Sequence, residues 1–253
     1  MTTTAPPRAR PAKRKRRSPG WVPNQHGAWA MLVTPLLVGI LAAGPSWPHL
    51  PLAAFWILGY FAFFATGLWL KSRRRQRYRP PVLVYSAGAT LAGLVTLAVD
   101  WHLIRWAPLF IVPLGVGLVA SAIRDERSLW SGISTTVGSS LMTLVAFDAG
   151  GGTDFARAWL LAGILAVYFA GTVLYVKTLI RERGSQTYYW LSVGMHALAT
   201  LALIPLAPAL TPVFAALTAR AAIVPAFPVT PKQAGIGEIF STIAVALTAL
   251  VTV

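Results

Sequence analysis

Over 253 residues the chain is 56% hydrophobic and 11% charged, with 22 Lys and Arg against 7 Asp and Glu and a net charge of +15. Soluble domains carry roughly 25% charged residues, so this composition excludes a water-exposed globular surface and places the chain in a bilayer. Cysteine is absent, which excludes disulfide scaffolds, thiolate metal sites and Cys nucleophiles.

Residues 1–20 are polar, basic and proline-containing, and read as a disordered cytoplasmic tail ahead of a transmembrane helical domain over 21–253. A secretory signal would place its apolar core directly after the basic region, whereas the polar segment Pro23 to His26 intervenes here. Nine spans are predicted: Ala28 to Ala43, Leu52 to Leu70, Pro81 to Val99, Trp106 to Ile123, Leu129 to Phe147, Trp159 to Val176, Tyr188 to Leu206, Leu210 to Val224 and Ile236 to Val253. Runs this long and this continuously apolar do not alternate as barrel strands do, so the fold class is all-α, a polytopic transmembrane helical bundle.

Charge sets the orientation. With a cytoplasmic N-terminus, the tail and even-numbered loops hold 19 basic residues and the opposite loops only Arg105 and Arg157; Arg220, inside the eighth span, belongs to neither side. This is the positive-inside pattern of a multi-pass protein of the bacterial cytoplasmic membrane with an external C-terminus. It also makes the bilayer and its anionic lipids, rather than nucleic acid, the partners of the net positive charge. Trp47, Trp101 and Trp106 then fall at the outer boundary and Trp21, Tyr78 and Trp130 at the inner one.

Several residues can carry chemistry. Asn24, Gln25, His26 and Trp29 open the first span, where they serve either as cap and interfacial anchor or as a polar site facing the cytoplasm. The segments Ile123-Arg124-Asp125-Glu126-Arg127-Ser128 and Ile180-Arg181-Glu182-Arg183-Gly184-Ser185 are near-copies on the cytoplasmic side. Orientation needs only Lys or Arg, yet both loops add acids, so anion binding stands beside a purely topogenic reading. Lys71, Arg73, Arg74, Arg75, Arg77 and Arg79 bind anionic headgroups or cradle a phosphate. Ser131, Thr135, Ser139 and Thr143 recur every four residues as a packing stripe or a polar cavity wall. His196 lies at the middle of the seventh span, and Tyr168 and Tyr175 share a face of the sixth that ends at Lys177. Glu238 either caps the last helix or pairs with Arg220.

The stretch Pro23 to Leu32, with Ile180-Arg181-Glu182-Arg183 and the segment Pro231 to Glu238, resembles the YwiC-like family of bacterial integral membrane proteins. The layout is also similar to that of UbiA-type membrane prenyltransferases, with nine helices and cytoplasmic loops after the second and sixth spans. That resemblance implies Asp-rich Mg²⁺ motifs in those loops, but the first has no carboxylate here and the second only Glu182. No metal or other cofactor is therefore expected. The leading expectation is an anionic lipid headgroup or isoprenoid phosphate bound at the cytoplasmic face by Arg124, Arg181 and Arg183 near His26. A transporter of a small anion or lipid, with Arg220 and His196 on its path, and a non-catalytic partner subunit of a membrane complex are the alternatives. A laterally open cavity would favour the first, a polar path across the midplane the second and a solid bundle the third.

The orientation is tested in this cysteine-free chain by single cysteines at Ser46, Ser72, Gly151 and Ser185. Those at 46 and 151 should react with an impermeant reagent from outside and the other two should not; outside labelling of 185 would reverse the topology.

Overall fold

The computed structural model describes residues 20–23 and 26–253, and of His26 the backbone only. The basic tail and the Asn24–Gln25 pair lie outside the described residues. All regular structure among the described residues is helical: α1 (His26–Ala43), α2 (His49–Lys71), α3 (Arg79–Val99), α4 (Ala107–Ala122), α5 (Leu129–Ser140), α6 (Met142–Ala149), α7 (Phe155–Ile180), α8 (Gln186–Leu206), α9 (Thr211–Ile223) and α10 (Pro231–Thr252), with short 3₁₀ turns between. Seven of these segments are long and apolar enough to cross a membrane, and Gly27–Ala43 is a shorter apolar helix. Helices α5 and α6 run end to end over 129–149 and together make the fifth predicted span. They part at Leu141, where Leu144 N–H bonds the Leu141 carbonyl three residues back in place of the usual four.

Helix ends follow their local chemistry. Asp154 accepts the Arg157 N–H at the start of α7, and Thr230 and Gln233 form a reciprocal capping box with Pro231 at the first helical position of α10. The last helix thus begins five residues before its apolar run.

Two halves differ in packing. Helix α7 is the axis of the dense half, with Leu161, Leu165, Tyr168 and Phe169 nearly inaccessible against Leu203, Phe214 and Val245 from α8, α9 and α10. Gly171 makes room for this crossing, since a Cβ there would sit 3.0 Å from His196 Nε2. In the other half α3 and α4 both pack on α2 rather than on each other. The halves meet where α1 lies on α6: a Cβ on Gly39 would be 2.4 Å from the Thr143 carbonyl oxygen and 2.7 Å from Ala146 Cβ.

The two ends of the bundle are fastened differently. At one, buried His49 accepts the Ser46 N–H at Nδ1, so the proton resides on Nε2, which donates to the Ala146 carbonyl at 2.8 Å. Beside it Arg105 donates through Nε and Nη2 to both oxygens of Asp148 (3.1 and 2.6 Å), and Trp106 Nε1 donates to the same carboxylate at 2.7 Å. Arg157 reaches the terminal carbonyls of Ala42 and Leu250, groups a helix end leaves without donors. The other end, called here the basic end, carries Lys71, Arg124, Arg127, Lys177, Arg181 and Arg183.

The close α1–α6 crossing makes Gly39→Ala a sharp test. Its methyl would meet backbone, which cannot rotate away, and should lower stability in detergent by about 1–3 kcal/mol. Gly194→Ala, whose Cβ meets nothing within 4 Å, should be neutral or stabilising by up to about 1 kcal/mol.

Candidate functional site

Helices α1 to α6 together enclose a cavity of about 710 Å³, within the size range that encloses small-molecule ligands. Its wall runs along α2 from Leu52 to Lys71, about 28 Å at 1.5 Å per residue and so most of the hydrocarbon thickness. The lining is predominantly apolar, with Phe55, Trp56, Phe63 and Phe110 as its aromatic surfaces. Trp56 Nε1 is satisfied within the wall by the Leu32 carbonyl at 2.8 Å, next to the carbonyl that Pro35 leaves without its helical donor. Ser131, Thr135 and Ser139 line the α5 side. The hydroxyls of Thr135 and Ser139 donate to carbonyls of their own helix, which keeps that wall effectively apolar. The stripe also serves packing: Gly132 faces Val173 and Gly138 faces Pro113, each too close for a Cβ.

Three features define access. At the end near Leu103 and Trp106 stands the Arg105–Asp148–Trp106 clasp. Thr90 and Leu94 of α3 and Leu114 of α4 are both in the wall and exposed, so the cavity opens through the side of the bundle between these helices. At the basic end Lys71 and Glu126, both in the lining, form an ion pair. Arg124 Nε donates to the Lys71 carbonyl at 3.2 Å, which places its guanidinium at this mouth. Glu126 Oε2 and the Tyr60 hydroxyl are buried with no partner.

Arg124 holds a left-handed backbone (φ 64°), closing α4 with Asp125 N–H bonded to the Ala120 carbonyl at 2.7 Å. Glycine ordinarily fills that position, and an L side chain there is strained. Arg73 and Arg74 are left-handed as well, at φ 58° and 59°. In the near-copy after α7 the left-handed residue is Gly184, so two loops with nearly the same sequence close differently and only the first carries a charged side chain on the strained position.

The other predicted site residues are distributed around this mouth and beyond it. Trp29 stacks edge-on against Tyr60 and Phe61 at 6.1 and 5.9 Å, behind the cavity wall. Asp125 accepts from Trp130 Nε1 at 3.0 Å. Buried Lys177 donates to the Arg127 carbonyl at 2.7 Å and ties the two basic loops together. Arg183 donates to the Phe227 carbonyl, and Arg181 and Glu182 stand on the α7–α8 turn. Among the described residues no hydrogen bond or ion pair joins Arg181 or Arg183 to Arg124. Asn24, Gln25 and the His26 side chain lie outside the described residues. Glu238 is in the dense half: its Oε1 pairs with Arg220 Nη1 at 2.8 Å and its Oε2 accepts from Tyr168 and Thr172 at 3.1 and 2.9 Å. Of the two roles left open by spacing, pairing is the one adopted, and the capping role belongs to Thr230 and Gln233.

Apolar crossing segments enclosing a side-opening cavity define a multi-pass helical membrane protein. The chain belongs to the YwiC-like family, whose profile matches residues 22–147. That match includes α1 to α5 and most of α6, hence every wall of the cavity. An uncharacterised protein of Haemophilus influenzae is 27% identical over 180 residues, 71% of this chain and 76% of that one. The uncharacterised protein YwiC of Bacillus subtilis is 29% identical over 178 residues, 70% and 74% of the two chains. No solved structure matches the chain.

Strain and function separate at Arg124. Arg124→Gly should raise stability by about 1 kcal/mol by relieving the left-handed residue, read from thermal unfolding in detergent. The same change removes a cation from the cavity mouth.

Proposed function

We propose that the chain binds a lipid with an anionic headgroup, an isoprenoid phosphate or another lipid phosphate, with its hydrocarbon chain in the α1–α6 cavity and its headgroup over Lys71 and Arg124. By the charge asymmetry of the loops this is the cytoplasmic face. The observation that carries the reading is the long apolar cavity that ends on an ion pair. An apolar ligand tail gains about 25 cal/mol per Å² removed from water, but a tail arriving from lipid gains little of that, so selection must come from the charged mouth. Lys71 and Arg124 supply ammonium and guanidinium donors that match phosphate oxygens without an intervening metal. Glu126 holds Lys71 while the mouth is vacant and competes with the headgroup for it. Arg181 and Arg183, on the separate α7–α8 turn, are outside this arrangement.

Native mass spectrometry of the full chain extracted in mild detergent tests the proposal. Lipid phosphates should copurify, and EDTA should not release them. Gly59 lines the cavity and a Cβ there meets nothing within 4 Å, so Gly59→Leu should fold normally and exclude the tail. Glu126→Gln frees Lys71 and should raise the bound fraction, whereas Lys71→Gln should lower it. Equal lipid content in wild type and Gly59→Leu would overturn the reading.

A further inference from the structure

The dense half holds a second polar centre, distinct from the cavity and independent of the lipid reading. Arg220 lies in the apolar helix α9, with its side chain 17% exposed and that of its partner Glu238 12% exposed, the least accessible of the ion pairs among the described residues. Charges at such depth in a bundle are costly and point to a use. The pairing engages only one corner of the guanidinium. Nη1 meets Glu238 and donates to Ser241 Oγ at 2.8 Å, and the plane lies 4.1 Å from the centre of the Tyr175 ring. Nε and Nη2 are buried without a partner. These two atoms form the side-on edge of arginine, the parallel donor pair that fits two oxygens of one oxyanion. Glu238 does not fill it: its Oε1 lies at Nη1, and Tyr168 and Thr172 hold its second oxygen.

Two more orphaned groups adjoin. His196, 3% exposed, has its Nδ1 on the Ser192 carbonyl at 2.7 Å, leaving Nε2 buried and unpartnered. Its ring lies 6.5 Å from that of Tyr175, the residue Arg220 stacks on. Fully buried Ser192 has an unpartnered hydroxyl. Tyr189, Ser192 and His196 follow at steps of three and four residues, one face of α8. That face begins at a second cavity of about 270 Å³ at the basic end, lined by Thr178, Ser185, Gln186 and Tyr189.

We propose that Arg220, Ser192 and His196 form a binding site inside the membrane for a small oxyanion of the carboxylate type, reached from the 270 Å³ cavity and taken up together with a proton. The site is neutral when empty, since Arg220 and Glu238 cancel. Adding an anion alone would leave a net charge in a medium of low dielectric, so a proton must accompany it. His196 Nε2 is the open acceptor for that proton. The groups facing it are Tyr175 from α7, Arg220 from α9 and, behind Arg220, Glu238 from α10; Lys177 of α7 is engaged with Arg127 and Arg157 is at the far end.

Acetate serves as the probe, titrated calorimetrically into the purified full chain in two buffers of different ionisation heat. The expected result is a Kd of about 1 mM or tighter with one proton taken up per acetate bound. Arg220→Lys keeps the charge that pairs with Glu238 but lacks the side-on edge, so it should melt as wild type does and bind acetate at least about tenfold more weakly. His196→Gln should abolish the proton uptake. Absence of acetate binding by folded wild type, meaning that the orphaned atoms hold water only, would overturn the proposal, as would unchanged affinity in Arg220→Lys. Proton uptake surviving in His196→Gln would overturn its coupling. None of these outcomes depends on whether a lipid phosphate copurifies.

Discussion

The crossing of α1 over α6 organises everything around it. With Gly39 against the Thr143 carbonyl, two backbones approach so closely that no side chain separates them, and α1 becomes a wall shared by two unlike compartments. On one side α7 is wrapped by α8, α9 and α10 with its aromatic and branched residues buried. On the other, α2, α3 and α4 do not reach α7 because α1, α5 and α6 stand between, so α3 closes on α2 and α4 closes on α2 and α5. Hollowness in one half is therefore a consequence of tight packing at the boundary. His49 reinforces the same boundary by binding the Ala146 carbonyl.

Hydrocarbon supplies no hydrogen-bond partners, and the protein's polar groups sort by how they meet that constraint. Threonine and serine hydroxyls mostly return to their own helix, as Thr135 and Ser139 do. At the end opposite the basic one, Arg157 finishes α1 and α10 and Arg105 is held by Asp148. Some of the remainder, such as Ser140 and Thr143, are scattered, and two groups stand out: the mouth at Lys71 and Glu126, and the Arg220 centre. Dense packing surrounds the second and open space the first, so they suit ligands of very different size.

Much of the fold was legible in the sequence because hydropathy alone marks a membrane helix, and the nine spans match the observed segments to within a few residues except at their polar ends. The last helix shows why. Its apolar run starts at Ile236, but Thr230, Pro231 and Gln233 begin it earlier through a capping box, a signal present in the sequence that settles how Glu238 is used. The cavity was not legible: Gly59, Gly67, Gly93 and Gly117 have the spacing of ordinary close-packing residues, and only the tertiary arrangement reveals that a Cβ at Gly59 would meet open space while one at Gly117 would strike Phe63 at 2.5 Å. The near-identical loops after α4 and α7 were equally opaque, since what distinguishes them is backbone handedness at Arg124 against Gly184. Pairing of Lys71 with Glu126 bridges 55 positions and leaves no periodic trace.

An opening between α3 and α4 faces acyl chains rather than water. Whatever occupies the cavity through that opening exchanges with a two-dimensional reservoir, where a minor membrane component is far more concentrated around the protein than its amount in the cell volume suggests. Occupancy then follows the composition of the surrounding leaflet, so a change in lipid make-up would alter the state of the protein without any soluble messenger.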